Sequence, residues 1–227
     1  MLTEEMREIL GASRDAGWVL EPMAKRLFAL AGMEVPRFTW AKTLEEAVRS
    51  AHEIGYPVVG KVVSPEVMHK ADRGGVVVGI DTDEKVTELY ERFCRIEGFT
   101  GMLIEPMVTG VELIVGAKID YQFGPVILMG IGGTGVEIYR DVVLRMAPLA
   151  DKDVGSMIAG LRAHVLLEGY RGSDPVDIGK LGKLLMDFSG LVMDLQEMVE
   201  SIDLNPVMCS STACVVADAR ILLRNDA

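Results

Sequence analysis

The chain has 227 residues, of which 49% are hydrophobic and 25% charged, and a formal net charge of -11. It is therefore of ordinary globular composition and long enough for one large domain or two small ones. The acidity excludes a general nucleic-acid binder, whose clustered Lys and Arg must displace counterions from phosphates. Three cysteines without CxxC or zinc-type spacing point to a reducing, cytoplasmic setting. The acidic N-terminus MLTEEMREIL lacks a signal-peptide core, and no apolar run reaches the roughly 18 to 20 residues that cross a bilayer, so no membrane association is expected.

Residues 1–20 carry two glycines and little periodicity, the pattern of a short helix or an arm. From Glu21-Pro22 a helix is predicted, with Met23, Leu27, Leu30 and Ala31 on one face and Gly32 and Pro36 to stop it. Thr43 and Glu46 form a capping box for the next helix, whose apolar stripe is Leu44, Ala47, Val48, Ala51 and Ile54. Then comes GYPVVGKVVSPEVMHKADRGGVVVG, two strand-like runs (57–63 and 76–80) around a loop that carries His69.

A lysine inside an apolar strand is costly unless an anion meets it. A histidine on a loop beside a glycine pair, Gly74-Gly75, is placed for chemistry near neutral pH. These features suggest that Lys61 holds a nucleotide phosphate and His69 exchanges a phosphoryl group with it. Gly55 to Lys61 also outlines a Walker A loop, but Val62 stands where Ser or Thr would meet magnesium, and Tyr56 to Val59 suit a strand.

Val86, Leu89, Tyr90, Phe93 and Ile96 mark a helix up to Gly98, and apolar runs at 102–107, 111–119 and 126–131 read as strands. Glu105-Pro106-Met107-Val108 ends one strand and Glu112 opens the next, an arrangement suited to clamping adenine. Gly130, Gly132 and Gly135 outline a dinucleotide fingerprint, yet the alternating EIYRDVVLRM that follows reads as strand, not as the required helix. A phosphate-approaching loop at Gly132 and Gly133 or a plain turn both remain open. Helices are predicted over 151–164 and 176–195, then two strands over 198–207 and 214–223. Asp203, Asn205 and Asp218 bring oxygen ligands together across the last hairpin, a sparse set that suits Mg²⁺. The pattern is α+β, with an N-terminal arm or helix (1–20), a small lobe (21–98) and a large lobe (99–227).

Taken together, GYPVVGKVVSPEVMHKADRGGV, EPMVTGVELIVGAKID, FGPVILMGIGGTGVEIYRDVVLRMAPL and IDLNPVM with VVADARIL resemble the ATP-grasp subunit or domain of ADP-forming acyl-CoA synthetases, from about Glu21 to Leu223. The succinyl-CoA synthetase β subunit is a less close match. The resemblance implies an ATP-grasp fold with ATP or ADP held between two lobes. Lys61 would contact phosphates, Glu105 and Val108 would lie at the adenine hinge, and Glu112 near the ribose or phosphates. Asn205 and Asp218 would bind Mg²⁺ with Asp203 close by, and Arg145 would neutralise phosphate charge. His69 falls at the family's phosphohistidine position, so the catalytic residues would be His69, Lys61 and Arg145. Gly60 departs from the family's larger apolar residue, which bears on the pocket floor. No segment corresponds to the CoA-binding and ligase domains, so a separately encoded α subunit, in a heterotetramer, is the expected partner. A stand-alone carboxylate-amine ligase and a non-catalytic nucleotide-binding module are the rival readings.

Overall fold

The computed structural model describes residues 1–133 and 140–224. Its backbone divides into two compact units, Pro36–Val108 and Met1–Val35 with Thr109–Ala227. This division differs from the lobes expected at 21–98 and 99–227, because the N-terminal elements pack on the C-terminal sheet. Helix α1 (Glu4–Ala12) is capped by Thr3, and the short strand β1 (Trp18–Val19) pairs antiparallel with residues 221–222 near the end of the chain. Helix α2 (Glu21–Leu30) begins at the predicted Glu21-Pro22 and buries Ala24, Leu27 and Phe28. It also buries Lys25, paired with Glu21 one turn earlier at 3.0 Å.

The smaller unit starts with β2 (Thr39–Ala41) and α3 (Leu44–Ile54). The Thr43 hydroxyl accepts the Glu46 amide as predicted, while the Glu46 carboxylate reaches the amide of Lys42, one residue before the cap. Strands β3 (Val58–Val63) and β4 (Val76–Ile80), helix α4 (Asp83–Phe93) and strand β5 (Gly101–Pro106) complete it. The sheet order is β2-β5-β3-β4, all antiparallel. One face of the sheet, with Val58, Val62, Met102 and Ile104, packs on Ala47, Ala51, Val86, Leu89 and Phe93 of the two helices. Pleat alternation puts Lys61, Leu103 and Glu105 on the other face.

The larger unit continues with β6 (Val111–Asp120), β7 (Gly124–Ile131), β8 (Val142–Met146), α5 (Asp151–Gly160), α6 (Ile178–Leu195), β9 (Val199–Cys209), β10 (Cys214–Val216) and β11 (Ala219–Leu223). The strand order is β1-β11-β9-β6-β7-β8, with β10 hairpinned on β9. The expected strand over EIYRDVVLRM is seen as β8, and its first part lies outside the described residues, as does Gly135. Leu113, Val115, Ile127, Met129, Ile202, Leu204 and Ile221 form a core with α1, α2, α5 and α6. The opposite face of this sheet is free of those helices. Across it runs one register row, Arg220 (β11), Asp203 (β9), Gly116 (β6), Leu128 (β7) and Leu144 (β8).

Candidate functional site

In the smaller unit the lysine anticipated in a strand does meet an anion. Lys61 Nζ lies 2.8 Å from Glu105 Oε1, and both side chains are buried, at 7% and 3% of their full exposure. Register explains the contact: Lys61 stands opposite Leu103 and Glu105 opposite Val59, so the two are diagonal neighbours on the face turned away from α3 and α4. Glu105 thereby holds the ammonium, whereas its sequence position suggested an adenine contact. Met107 and Val108 follow the end of β5, Met107 being exposed. Gly60 points the other way, so it does not form a pocket floor. A Cβ there would come 2.6 Å from Leu89 Cδ2 and 3.0 Å from Ile80 Cδ1, so the missing side chain makes room for α4.

His69 lies in the connection from β3 to β4, which closes when Gly60 and Lys61 pair with Val77 and Val76. The base of this loop is fixed. Ser64 Oγ donates to the carbonyl of Glu97 at 2.7 Å and accepts from the Glu66 amide, and Val67 is buried. A 3₁₀ turn, Ala71–Arg73, ends at Gly74, whose φ of +62° is left-handed. Between these anchors Met68 and His69 are exposed.

In the larger unit the Gly132 amide donates to the carbonyl of Glu112 at 2.6 Å, so the glycine turn lies on the start of β6. A Cβ on Gly132 would meet Glu112 backbone atoms at 2.9 Å, and Gly133 has φ +92° with the Glu112 carboxylate nearby. Glycine is thus required at both positions, for close approach and for backbone conformation. The third group, Asp203, Asn205 and Asp218, is held by strand pairing. The amide of Asn205 donates to the carbonyl of Asp218, and those of Ala217 and Asp218 to that of Pro206. Asp203 accepts from Arg220 Nη2 at 3.3 Å. Glu112 is exposed opposite Met208 on the same face as Asp203. Carboxylates and an amide oxygen are the hard donors that Mg²⁺ takes beside waters and phosphates, although among the described residues no three His, Cys, Asp or Glu side chains cluster as a metal site.

Arg145 is not brought to this face. Its register partner is the wholly buried Ile127, and its guanidinium donates to Ser156 Oγ of α5 at 3.0 and 3.3 Å and to the Leu144 carbonyl. Strand alternation at an edge decides this: Val142, Leu144 and Met146 take the helix-free face, so Arg145 takes the other. Sequence reading missed Arg220, although its place two residues after Asp218 in a strand was the available signal.

An ATP-grasp domain model matches residues 11–223, and the chain belongs to that family. It is 39% identical to the β subunit of acetate–CoA ligase (ADP-forming) I of Pyrococcus furiosus, covering 90% of this chain and 91% of that one. It is also 39% identical to 4-hydroxybutyrate–CoA ligase (ADP-forming) of Nitrosopumilus maritimus, covering 89% of this chain but 30% of that protein's length. A structure of the dinucleotide-forming acetyl-coenzyme A synthetase 1 of Ca. Korarchaeum cryptofilum superposes with a TM-score of 0.84 at 39% identity, over 96% of this chain and 100% of that one. That protein is bound to coenzyme A and Mg-AMPPCP, with its phosphohistidine segment pointing towards the nucleotide-binding site. Among the described residues no helix is long and apolar enough to cross a membrane.

Proposed function

We propose that this chain is the nucleotide-handling subunit of an ADP-forming acyl-CoA synthetase, interconverting acyl-CoA, ADP and phosphate with acid, CoA and ATP. It would work with a separately encoded CoA-binding subunit in the cytoplasm. The observation that carries the reading is His69 at the exposed tip of a loop hung on the strand that bears Lys61, within a chain of the same extent as β subunits of such ligases. An imidazole nitrogen takes the phosphoryl group from an acyl phosphate and releases the carboxylate; the β-phosphate oxygen of ADP then takes the phosphoryl from nitrogen. Such transfer depends on positioning and charge neutralisation. Lys61, oriented by Glu105, supplies a fixed cation. Gly132 and Gly133 let backbone approach the nucleotide, and Met107 and Val108 border its base. Asn205, Asp218 and Asp203 would hold Mg²⁺, which supplies further charge neutralisation when bound.

The test is labelling with [γ-³²P]ATP and Mg²⁺. Wild type should yield an acid-labile phosphoprotein and His69→Ala none. Equal labelling of His69→Ala would overturn the relay, and no labelling of either would favour a carboxylate-amine ligase or a non-catalytic binding module.

A further inference from the structure

We propose that Arg220 is the arginine with which the larger unit neutralises nucleotide phosphate, the role that resemblance alone assigns to Arg145. The inference rests on the nucleotide reading above. Arg220 and Asp203 are register partners on β11 and β9, beside the point where the Asn205 and Asp218 backbones pair, and the side chains are 25% and 38% exposed. Asp203 and Asp218, with Glu112 on the same face of the sheet, would repel a polyphosphate unless a cation accompanies them. The Arg220 guanidinium presents five N–H donors in a planar fork, so it can keep Asp203 in place and bind a phosphate oxygen together.

The rest of the row agrees with this polarity. Next to Asp203 stands Gly116 of β6, a glycine inside a strand where a ligand can approach the backbone. Leu128 and Leu144 follow, so the row runs from charged to apolar. Lys118, one row further along the face opposite Ser201, adds a second positive charge at greater distance from Asp203. Arg145 has its side chain on the opposite face with Ser156.

The experiment measures binding of adenosine, AMP, ADP and ATP to the whole chain by calorimetry with Mg²⁺ present. Arg220→Gln should weaken ADP and ATP about tenfold to a hundredfold, the worth of a lost charge-assisted bond, and change adenosine by less than about twofold. Arg145→Gln should leave all four within about twofold. An unchanged ADP affinity in Arg220→Gln, or an equal loss for adenosine, would overturn the assignment while the nucleotide reading stands. A wild type that binds none of the four would overturn both. A second measurement needs no variant: phenylglyoxal modification of Arg220 in wild type, mapped by peptide mass, should be slowed by saturating ADP and not by adenosine. Equal modification rates with both ligands would refute the role.

Discussion

Lys61→Met removes one member of the buried ion pair and leaves the Glu105 carboxylate in a site where both side chains are nearly inaccessible. At 2.8 Å and an effective dielectric constant of about 20, the pair is worth roughly 6 kcal/mol in Coulomb energy. Relief of the lysine's own desolvation returns part of that, so the expected cost is about 3–5 kcal/mol, the range for breaking a buried pair by removing one partner. This is a large fraction of the ~5–15 kcal/mol that keeps a domain folded. The double variant Lys61→Met/Glu105→Leu should recover most of the loss, because no buried charge remains. The chain provides its own reporters: of its two tryptophans, Trp40 lies in the smaller unit and Trp18 in the larger. Urea unfolding followed by Trp40 fluorescence in a Trp18→Phe background therefore reads the smaller unit, which need not unfold together with the larger. A cost below about 1 kcal/mol for Lys61→Met, or additive losses in the double variant, would show that the pair is not buried and coupled as described.

Gly60→Val should destabilise the smaller unit by about 1–3 kcal/mol through overpacking against Leu89 and Ile80, and Leu89→Ala in the same chain should relieve it. A neutral Gly60→Val in Trp40-monitored unfolding would mean that the position faces open space. In the turn after β6, the Asp120 carboxylate accepts the amides of Phe123 at 2.9 Å and Gln122 at 2.8 Å, which hold its pKa below the ordinary value. A carboxyl whose folded pKa is depressed stabilises the protein above its unfolded pKa and loses that contribution as pH falls through the folded one. The stability gap between wild type and Asp120→Ala should therefore be present at neutral pH and close in strong acid, and a gap that is constant with pH would refute the cause.

Where a signal is local, the sequence carries it. Thr43 with Glu46, Glu21-Pro22 and the 3.6-residue stripe of α4 each fix an element from neighbouring residues. The strands β1 and β2, of two and three residues, are too short to show a period, and only pairing with distant strands defines them. The same limit applies at the site. The strand carrying Lys61, the loop carrying His69 and the hairpin carrying Asp203 and Asn205 can be read along the chain. The partner that holds Lys61 is 44 positions away, however, and depends on the β3–β5 register. The side of the sheet on which Arg145 falls depends on which face of β8 the helices cover. Buried Lys25 is similarly hidden, since its period matches an exposed lysine as well as one paired inside the core with Glu21.

The two glycines after the histidine loop have different physical roles, and this bears on how His69 could travel. A Cβ on Gly75 would lie 2.6 Å from Val62 Cγ1 and 2.9 Å from the Lys70 carbonyl, and its own amide and carbonyl bond Lys70 and Val62. Gly75 is thus a packing point at the root of β4. Gly74 has open space around its Cβ position and a left-handed backbone, and its carbonyl accepts from Arg92 Nη2 at 2.9 Å. If His69 moves while β4 stays paired, Gly74 is the residue with room to turn, and the bond lost is the one from the Gly75 amide to the Lys70 carbonyl, while the Gly74 carbonyl stays with Gly75 on Arg92. Gly74→Ala should cost about 1 kcal/mol of left-handed strain, whereas Gly75→Ala should disturb the β3–β4 pairing itself. Hydrogen exchange at Val62 and Val76 separates the two: faster exchange in Gly74→Ala than in Gly75→Ala would reverse the assignment. The β4 end of the histidine loop thus joins a residue with room to turn, Gly74, directly to a packed one, Gly75.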